Sequence, residues 1–470
     1  MKVVVVGGGF AGLAAAIALQ ERRHQVTLLE RRGVLGGRAT SYRDAISGED
    51  VDNGTHVMIG AYADTLDLVR RAGAADLLLE QDDLHIDYVD DRGYTALDCP
   101  PLMAPLHLLA GLLTLRVPWS VRFQALRFGL AVRFGKPPDG ITLAEYFRKT
   151  GQGEAARRLL WDPLALATLN ESPERAAAIL FHRVYKDAFL SHHRASRLVF
   201  LRSGFGGLTA RLGRYFEGRG GVLKRRALVE AIEVRDGKAT GVRYVQRVET
   251  KEEIRRGEPG EAHSIPADAV VAAVPWHALS TLLPEPLRGQ EPFASVAALR
   301  GSPIVSIEMW LDRVVVDRPM VGLREGDVQW VFDKGRLYGR SGPPQHLAFI
   351  VSAAYRVSPL PNADLTAATE AALHRYFPAM AEAQVLRTLV MREPNATFAS
   401  DPEAETKRPG PLTPVRGLFL AGDWTATGLP ATIEGAVRSG RRAAACAETN
   451  ADLAGGSEKE EALLSARART

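Results

Sequence analysis

The apolar positions near the start of the chain fall into three blocks. Lys2–Val6 is a short aliphatic run, Gly12–Glu21 is a longer Ala- and Leu-rich stretch, and Gln25–Glu30 is again aliphatic. Short β-branched runs bounded by glycine or charge mark buried strands, and the longer block between them marks a helix. Together they predict a βαβ unit of about thirty residues. Further on the pattern changes. Pro100–Lys136 mixes apolar residues with Arg116, Arg122, Arg127, Arg133 and Lys136 and contains no acid, which predicts helices with a basic, apolar surface. Residues from Leu143 to Arg211 read as largely helical, and Gly221 to Val248 alternates as strands around a turn at Asp236-Gly237. The charged stretch Thr250–Pro266 reads as a surface excursion. Ala269–Val274 is a strand ended by Pro275. Ile304–Trp310 and Leu347–Ser352 suggest a second sheet, Leu418–Ala421 is another buried strand, and Thr432–Glu448 reads as a helix followed by a frayed tail.

A length of 470 residues implies about two domains, with room for a large ligand between them. The net charge of +4 names no partner, and nothing indicates nucleic-acid binding. Cys99 and Cys446 lie far apart in no CxxC pattern, so neither a disulfide framework nor a metal site is expected, and a reducing cytoplasm fits. Lys2, the apolar run and Ala14-Ala15-Ala16 imitate a secretory signal, but three regularly spaced glycines inside it argue otherwise. The longest uncharged stretch, Cys99 to Leu115, is too short to span a bilayer and carries three prolines.

Those glycines carry the first chemistry. Gly7, Gly9 and Gly12 fill the GxGxxG positions between strand and helix. Such a turn lets the backbone approach a pyrophosphate, and the helix N-terminus supplies N–H groups and partial positive charge. Glu30 closes the second strand, where a carboxylate accepts hydrogen bonds from ribose hydroxyls. The unit therefore predicts a Rossmann-type dinucleotide site.

Leu35-Gly36-Gly37-Arg38, followed by Asp52-Asn53-Gly54-Thr55-His56, resembles flavin oxidoreductases of the amine oxidase and phytoene desaturase superfamily. Leu418-Phe419-Leu420-Ala421-Gly422-Asp423 resembles that superfamily's second flavin motif, and Thr432-Ile433 would open a helix toward the flavin ring. The resemblance implies non-covalent FAD. It would be held by Gly7, Gly9, Gly12, Glu30, Gly37, Arg38, Gly54, Thr55, His56, Gly422, Asp423, Thr432 and Ile433, with backbone at Val229 beside the adenine. The fold implied is α/β, a Rossmann-type FAD domain of amine oxidase type interleaved with a substrate domain of mixed sheet and helices. Residues 1–60, 205–275 and 410–448 would form the FAD domain. Residues 61–204 would form a helical entry part, 276–409 the substrate domain, and 449–470 a flexible tail.

Three segments narrow the resemblance. Leu160-Trp161-Asp162-Pro163-Leu164 with Leu169-Asn170-Glu171-Ser172-Pro173, Ser302-Pro303-Ile304-Val305-Ser306, and Gly422 through Ala436 look like the hydroxysqualene dehydroxylase family. That resemblance implies reductive removal of a hydroxyl from hydroxysqualene, giving squalene and water in bacterial squalene and hopanoid synthesis. The chemistry needs one acid, a dry apolar tunnel and a hydride donor. Asp162, His56 and Glu434 are the candidate acids, in that order. Asp162 reads equally as a helix N-cap or an ion-pair partner of Arg157 or Arg158, His56 as a donor to the flavin or as core, and Glu434 as a complement to a helix dipole. A long polyprenoid substrate and the basic 100–136 segment imply peripheral attachment to the inner face of a membrane. A carotenoid desaturase or isomerase is the nearest rival, and a non-catalytic prenyl-lipid escort is the rival from another class. The sequence leaves the oligomeric state open, a homo-oligomer included.

Overall fold

The structure, a computed structural model, describes residues 1–247 and 260–453. The predicted βαβ unit forms as strand Lys2–Val6, helix Phe10–Glu21 and strand Gln25–Glu30. The two strands pair in parallel, with Val4 beside Thr27 and Val6 beside Leu29. Val222–Arg225, Ala269–Ala272 and Leu418–Leu420 complete a five-stranded parallel sheet. Strands buried on both faces need no polar alternation, which explains why Val3–Val6, Ala269–Ala272 and Leu418–Leu420 read as plain apolar runs, whereas the edge strand Val222–Arg225 is partly exposed and carries Lys224 and Arg225. The C-terminal helix Ile433–Leu453 shares the core on one face with Phe10–Glu21. Trp276, Phe293, Phe398 and Trp424 fill the other face.

A seven-stranded mixed sheet forms the second layer. Its order is Val385–Phe398, Gly301–Leu311, Gln345–Val351, Trp330–Asp333, Met320–Leu323, His85–Asp90 and Gly93–Asp98. The last two strands correct the helical reading of 61–204. They form a hairpin that joins this sheet through a parallel pairing of Asp87 with Val321. Leu198–Leu201 is likewise a strand inside the stretch expected to be helical.

Two other boundaries differ from expectation. Glu261–Pro266 is a strand paired with Lys238–Gln246, while 250–259 lies outside the described residues. The last helix continues to Leu453, past the frayed end expected at Thr449; the residues after 453 are also outside the described part. The turn at Asp236-Gly237 forms as read, with positive φ at both residues.

The helical part stacks around a cluster of aromatic rings. Phe128 packs against Trp161, Tyr185 and Phe147 at centroid distances of 4.8, 5.3 and 5.4 Å. Within helix Trp119–Phe134, Val121, Ala125, Phe128 and Val132 turn inward. The opposite face leaves Trp119, Phe123 and Phe134 exposed at 73, 70 and 81%. No helix among the described residues is long and apolar enough to cross a membrane.

Candidate active site

A cavity of about 640 Å³ runs from the glycine turn of the parallel sheet to the mixed sheet and the helical part. Its polar end is built largely from backbone. A Cβ on Gly12 would meet Gly7 O at 1.8 Å, and one on Gly7 would meet Ala273 O at 2.5 Å, so chain packing alone requires both glycines. Gly9 is different, because a Cβ there would meet nothing nearer than Gly37 Cα at 3.9 Å. Its bare backbone faces the cavity, and the demand left for glycine is close approach by a ligand.

Glu30 lies at the end of its strand beside this turn. Its Oε2 accepts from Gly8 N–H at 2.7 Å and its Oε1 from Arg32 N–H at 2.8 Å, which fixes the carboxylate at the cavity wall. Arg38 reaches across to the C-terminal motif and pairs with Asp423, while its second amino group donates to Ala396 O at 2.9 Å. The contact joins segments 385 residues apart and closes the cavity between them. Gly422 N–H donates to Ser439 Oγ at 2.8 Å, and Trp424 donates its ring N–H to Val274 O at 2.9 Å. Gly37, Gly54, Thr55, His56, Val229, Thr432 and Ile433 also line the space. Thr55 Oγ1 is buried with no hydrogen-bond partner among the described residues, as expected where a bound group would supply one. Bare backbone at Gly9, a fixed carboxylate and an unpartnered hydroxyl fit a dinucleotide cofactor.

The three candidate acids separate. Asp162 does not line the cavity. Its two oxygens stand 3.2 Å from the Arg157 guanidinium, where burial raises its pKa while Arg157 opposes the rise. The ion-pair alternative is the one that forms, because a π turn at Arg157–Trp161 brings the arginine back over the next helix.

Glu434 borders the cavity but is fully engaged. It accepts from Thr65 N–H at 2.9 Å, Thr65 Oγ at 2.8 Å and Asp64 N–H at 3.1 Å, and it pairs with Arg438 at 3.2 Å. It satisfies the orphan donors at the start of helix Ala63–Arg71. An acid reading does not suit it.

His56 lies deep in the cavity wall. Its Nδ1 is 2.8 Å from the Gly54 carbonyl, so Nδ1 carries the proton and Nε2 is the acceptor. Burial holds its pKa down, with Asp52 opposing, and the ring is neutral at rest. It can orient a hydroxyl; it does not bring a proton of its own.

Sequence reading missed the ion pair behind His56. Asp52 Oδ2 accepts from Lys334 Nζ at 2.8 Å and Tyr338 OH at 2.9 Å, and its Oδ1 accepts from Ser41 Oγ at 2.5 Å and Phe205 N–H at 3.1 Å. Burial would raise the Asp52 pKa, but Lys334 and these donors outweigh it and hold the carboxyl low. No local pattern announces Lys334, which follows a strand 282 residues later in the chain.

The apolar end receives Leu84, Ile86, Leu166, Val184, Phe189 and Trp330 from four separate segments. At its edge Asn170 adopts a left-handed conformation and ties two motifs together. Its Nδ2 donates to Ser302 O at 3.2 Å and Thr397 Oγ1 at 3.0 Å, its Oδ1 accepts from Ala353 N–H at 2.7 Å, and its carbonyl accepts from Ser302 Oγ at 2.6 Å. The Trp161–Pro173 and Ser302–Ser306 segments therefore meet at the cavity wall.

Known proteins are similar to this chain in sequence and in fold. The model of the flavin containing amine oxidoreductases matches residues 10–447. The chain is 30% identical to the hydroxysqualene dehydroxylase of Rhodopseudomonas palustris, over 94% of this chain and 97% of that protein. It is 29% identical to the one from Sinorhizobium fredii, over 96% and 99%. A probable zeta-carotene desaturase of Synechococcus elongatus is 28% identical over 94% and 98%. Among solved structures, an oxidoreductase from Methanosarcina mazei superposes with a TM-score of 0.72 at 18% identity, covering 94% of this chain and 99% of that one. A putrescine oxidase variant superposes at 0.68 and 16% identity, covering 95% and 98%. The chain belongs to the flavin containing amine oxidoreductase family, and its cofactor is FAD.

Proposed function

We propose that the chain is a hydroxysqualene dehydroxylase, reducing hydroxysqualene to squalene and water. The observation that carries this reading is the single cavity joining the glycine cradle to an apolar end, with Asn170 fixing the two segments that most resemble that family. The relatives at 29 and 30% identity support it. Reduced FAD, when bound, supplies the hydride. The protein's own residues hold the polyprenoid in an apolar, water-poor space and present His56 Nε2 as an acceptor that can orient the departing hydroxyl. Gly7, Gly9, Gly12, Glu30, Arg38 and Asp423 would hold the adenine nucleotide half of the cofactor, and Thr55, Thr432 and Ile433 its flavin half.

The substrate would come from a bilayer. The exposed Trp119, Phe123 and Phe134 face favours peripheral docking there. Not all the nearby cations are available to lipid. Arg122 donates to the carbonyls of Leu112, Leu113 and Leu115, and Arg116 to those of Arg92 and Tyr94. The aromatic face is therefore the stronger anchor, and Phe123→Ser with Phe134→Ser should release the protein from liposomes.

The second reading is a carotenoid desaturase, favoured by the zeta-carotene desaturase match at nearly the same identity and coverage. Product analysis of the purified protein separates the two, with its FAD reduced before hydroxysqualene is added and oxidised before phytoene is added. Squalene from the first substrate alone is expected; desaturated product from the second alone would transfer the assignment.

A further inference from the structure

With Asp162 and Glu434 committed elsewhere and His56 neutral, the proton consumed in dehydroxylation needs another source. The mixed sheet carries a column of polar groups that leads into the cavity. Residues of alternate parity share a face of a strand, so Ile304, Ser306, Glu308 and Trp310 project to one side of Gly301–Leu311. Ile304 and Ser306 line the cavity, which places Glu308 one step and Trp310 two steps behind them. On the neighbouring strand His346 lies opposite Trp310, and the two rings stack at 4.3 Å.

The imidazole sits between two carboxylates. Its Nε2 is 2.8 Å from Glu308 Oε2, and its Nδ1 is 2.9 Å from Glu49 Oε2. Glu308 is fully buried, and its other oxygen accepts from Ser306 Oγ at 3.3 Å. Glu49 reaches the outer surface, where Arg340, half exposed, bonds it at 2.6 Å.

We propose that Glu49, His346, Glu308 and Ser306 form a proton relay between solvent and the substrate cavity. Its inward direction rests on the dehydroxylase reading. Glu49 takes a proton from water, His346 passes it to Glu308, and Ser306 accepts it while giving its own hydroxyl proton to the substrate oxygen. The carbon–oxygen bond would then break with its electron pair leaving on water, and reduced FAD, when bound, would supply the hydride that the carbon centre needs. The arrangement is suited to holding a proton. Burial works against the imidazolium, but the hydrogen bond to Glu308 and the charge of Glu49, in ion-pair contact at 2.9 Å, outweigh it and raise the His346 pKa. Other charges face the column. Arg387 lies over Trp310 and is paired with Asp44 at the outer end; Lys334, its partners Asp52 and Tyr338, and Tyr42 stand near the inner end.

The test uses FAD-loaded protein without substrate. A deazaflavin flash under anaerobic conditions reduces the bound flavin, which without substrate is the group in the cavity that takes up a proton, and an indicator dye follows that uptake from the medium. In the wild type, uptake should keep pace with flavin bleaching; in His346→Asn and Ser306→Ala it should lag by at least about a hundredfold, the lower side of the range for a lost proton-transfer group. Ser306→Ala removes one hydroxyl from a buried strand and serves where His346→Asn does not fold. Uptake unchanged in Ser306→Ala would overturn the relay. With hydroxysqualene, kcat should fall as pH rises through the His346 pKa, and that limb should vanish in His346→Asn at unchanged KM. A wild type that ignores hydroxysqualene while the variants still delay uptake would defeat the dehydroxylase reading and leave the relay standing.

Discussion

The two ends of the cavity are made by different means. At the cofactor end, backbone does most of the work, and a few short segments supply it. At the substrate end, side chains from the helical part and the mixed sheet converge, and no one segment defines the surface. A mutation should therefore act steeply at the first end and in a graded way at the second.

The largest effect is expected at Gly12. Its added methyl in Gly12→Ala would overlap Gly7 O, costing on the order of 4 kcal/mol and preventing FAD from being retained. Visible absorbance of the purified protein reads this directly, and a yellow Gly12→Ala protein would contradict the backbone account.

Next is the join between the ends. Lys334→Met should cost about 3–5 kcal/mol, because it leaves Asp52 buried beside the uncharged methionine. The pH dependence sharpens this. In the wild type the Asp52 pKa is depressed in the folded state, so its contribution is present above the ordinary carboxyl range and is lost as pH falls through the folded value. In the variant the unpaired Asp52 should protonate readily, and the deficit in denaturant unfolding should shrink on acidification. A deficit that widens would mean that another group governs.

Glu434→Gln should destabilise by about 1.5–3 kcal/mol through weakened bonds to Thr65, Asp64 and Arg438, with kcat of the reconstituted enzyme within about twofold. A collapse of kcat at full stability would restore Glu434 as an acid. The smallest effect belongs to Asp162→Asn, about 0–1 kcal/mol for a partly exposed pair with Arg157, again with turnover retained.

The contrast between the ends also explains what could be read from the chain. Gly7, Gly9, Gly12 and Glu30 sit within thirty residues because one turn of backbone and one strand end make that part of the site, so spacing alone exposes it. The strands Val3–Val6, Val26–Leu29 and Ala269–Ala272 were legible because burial on both faces removes polar residues. The hairpin His85–Asp98 was not: its neighbours in the sheet begin at Met320, and nothing local marks that pairing. Asp162 illustrates the opposite error. Its apolar surroundings in sequence suggested a buried acid, whereas the π turn delivers Arg157 to it. Glu308 and His346 went unnoticed because each stands alone in an apolar strand and only the register of two strands makes them a pair.

The central claim is that this cavity delivers a hydride to hydroxysqualene. Its most direct test is anaerobic: reduce the bound FAD, add hydroxysqualene, and follow flavin reoxidation together with squalene formation. One squalene per flavin reoxidised is the predicted result. A flavin that stays reduced in the presence of hydroxysqualene would contradict the account.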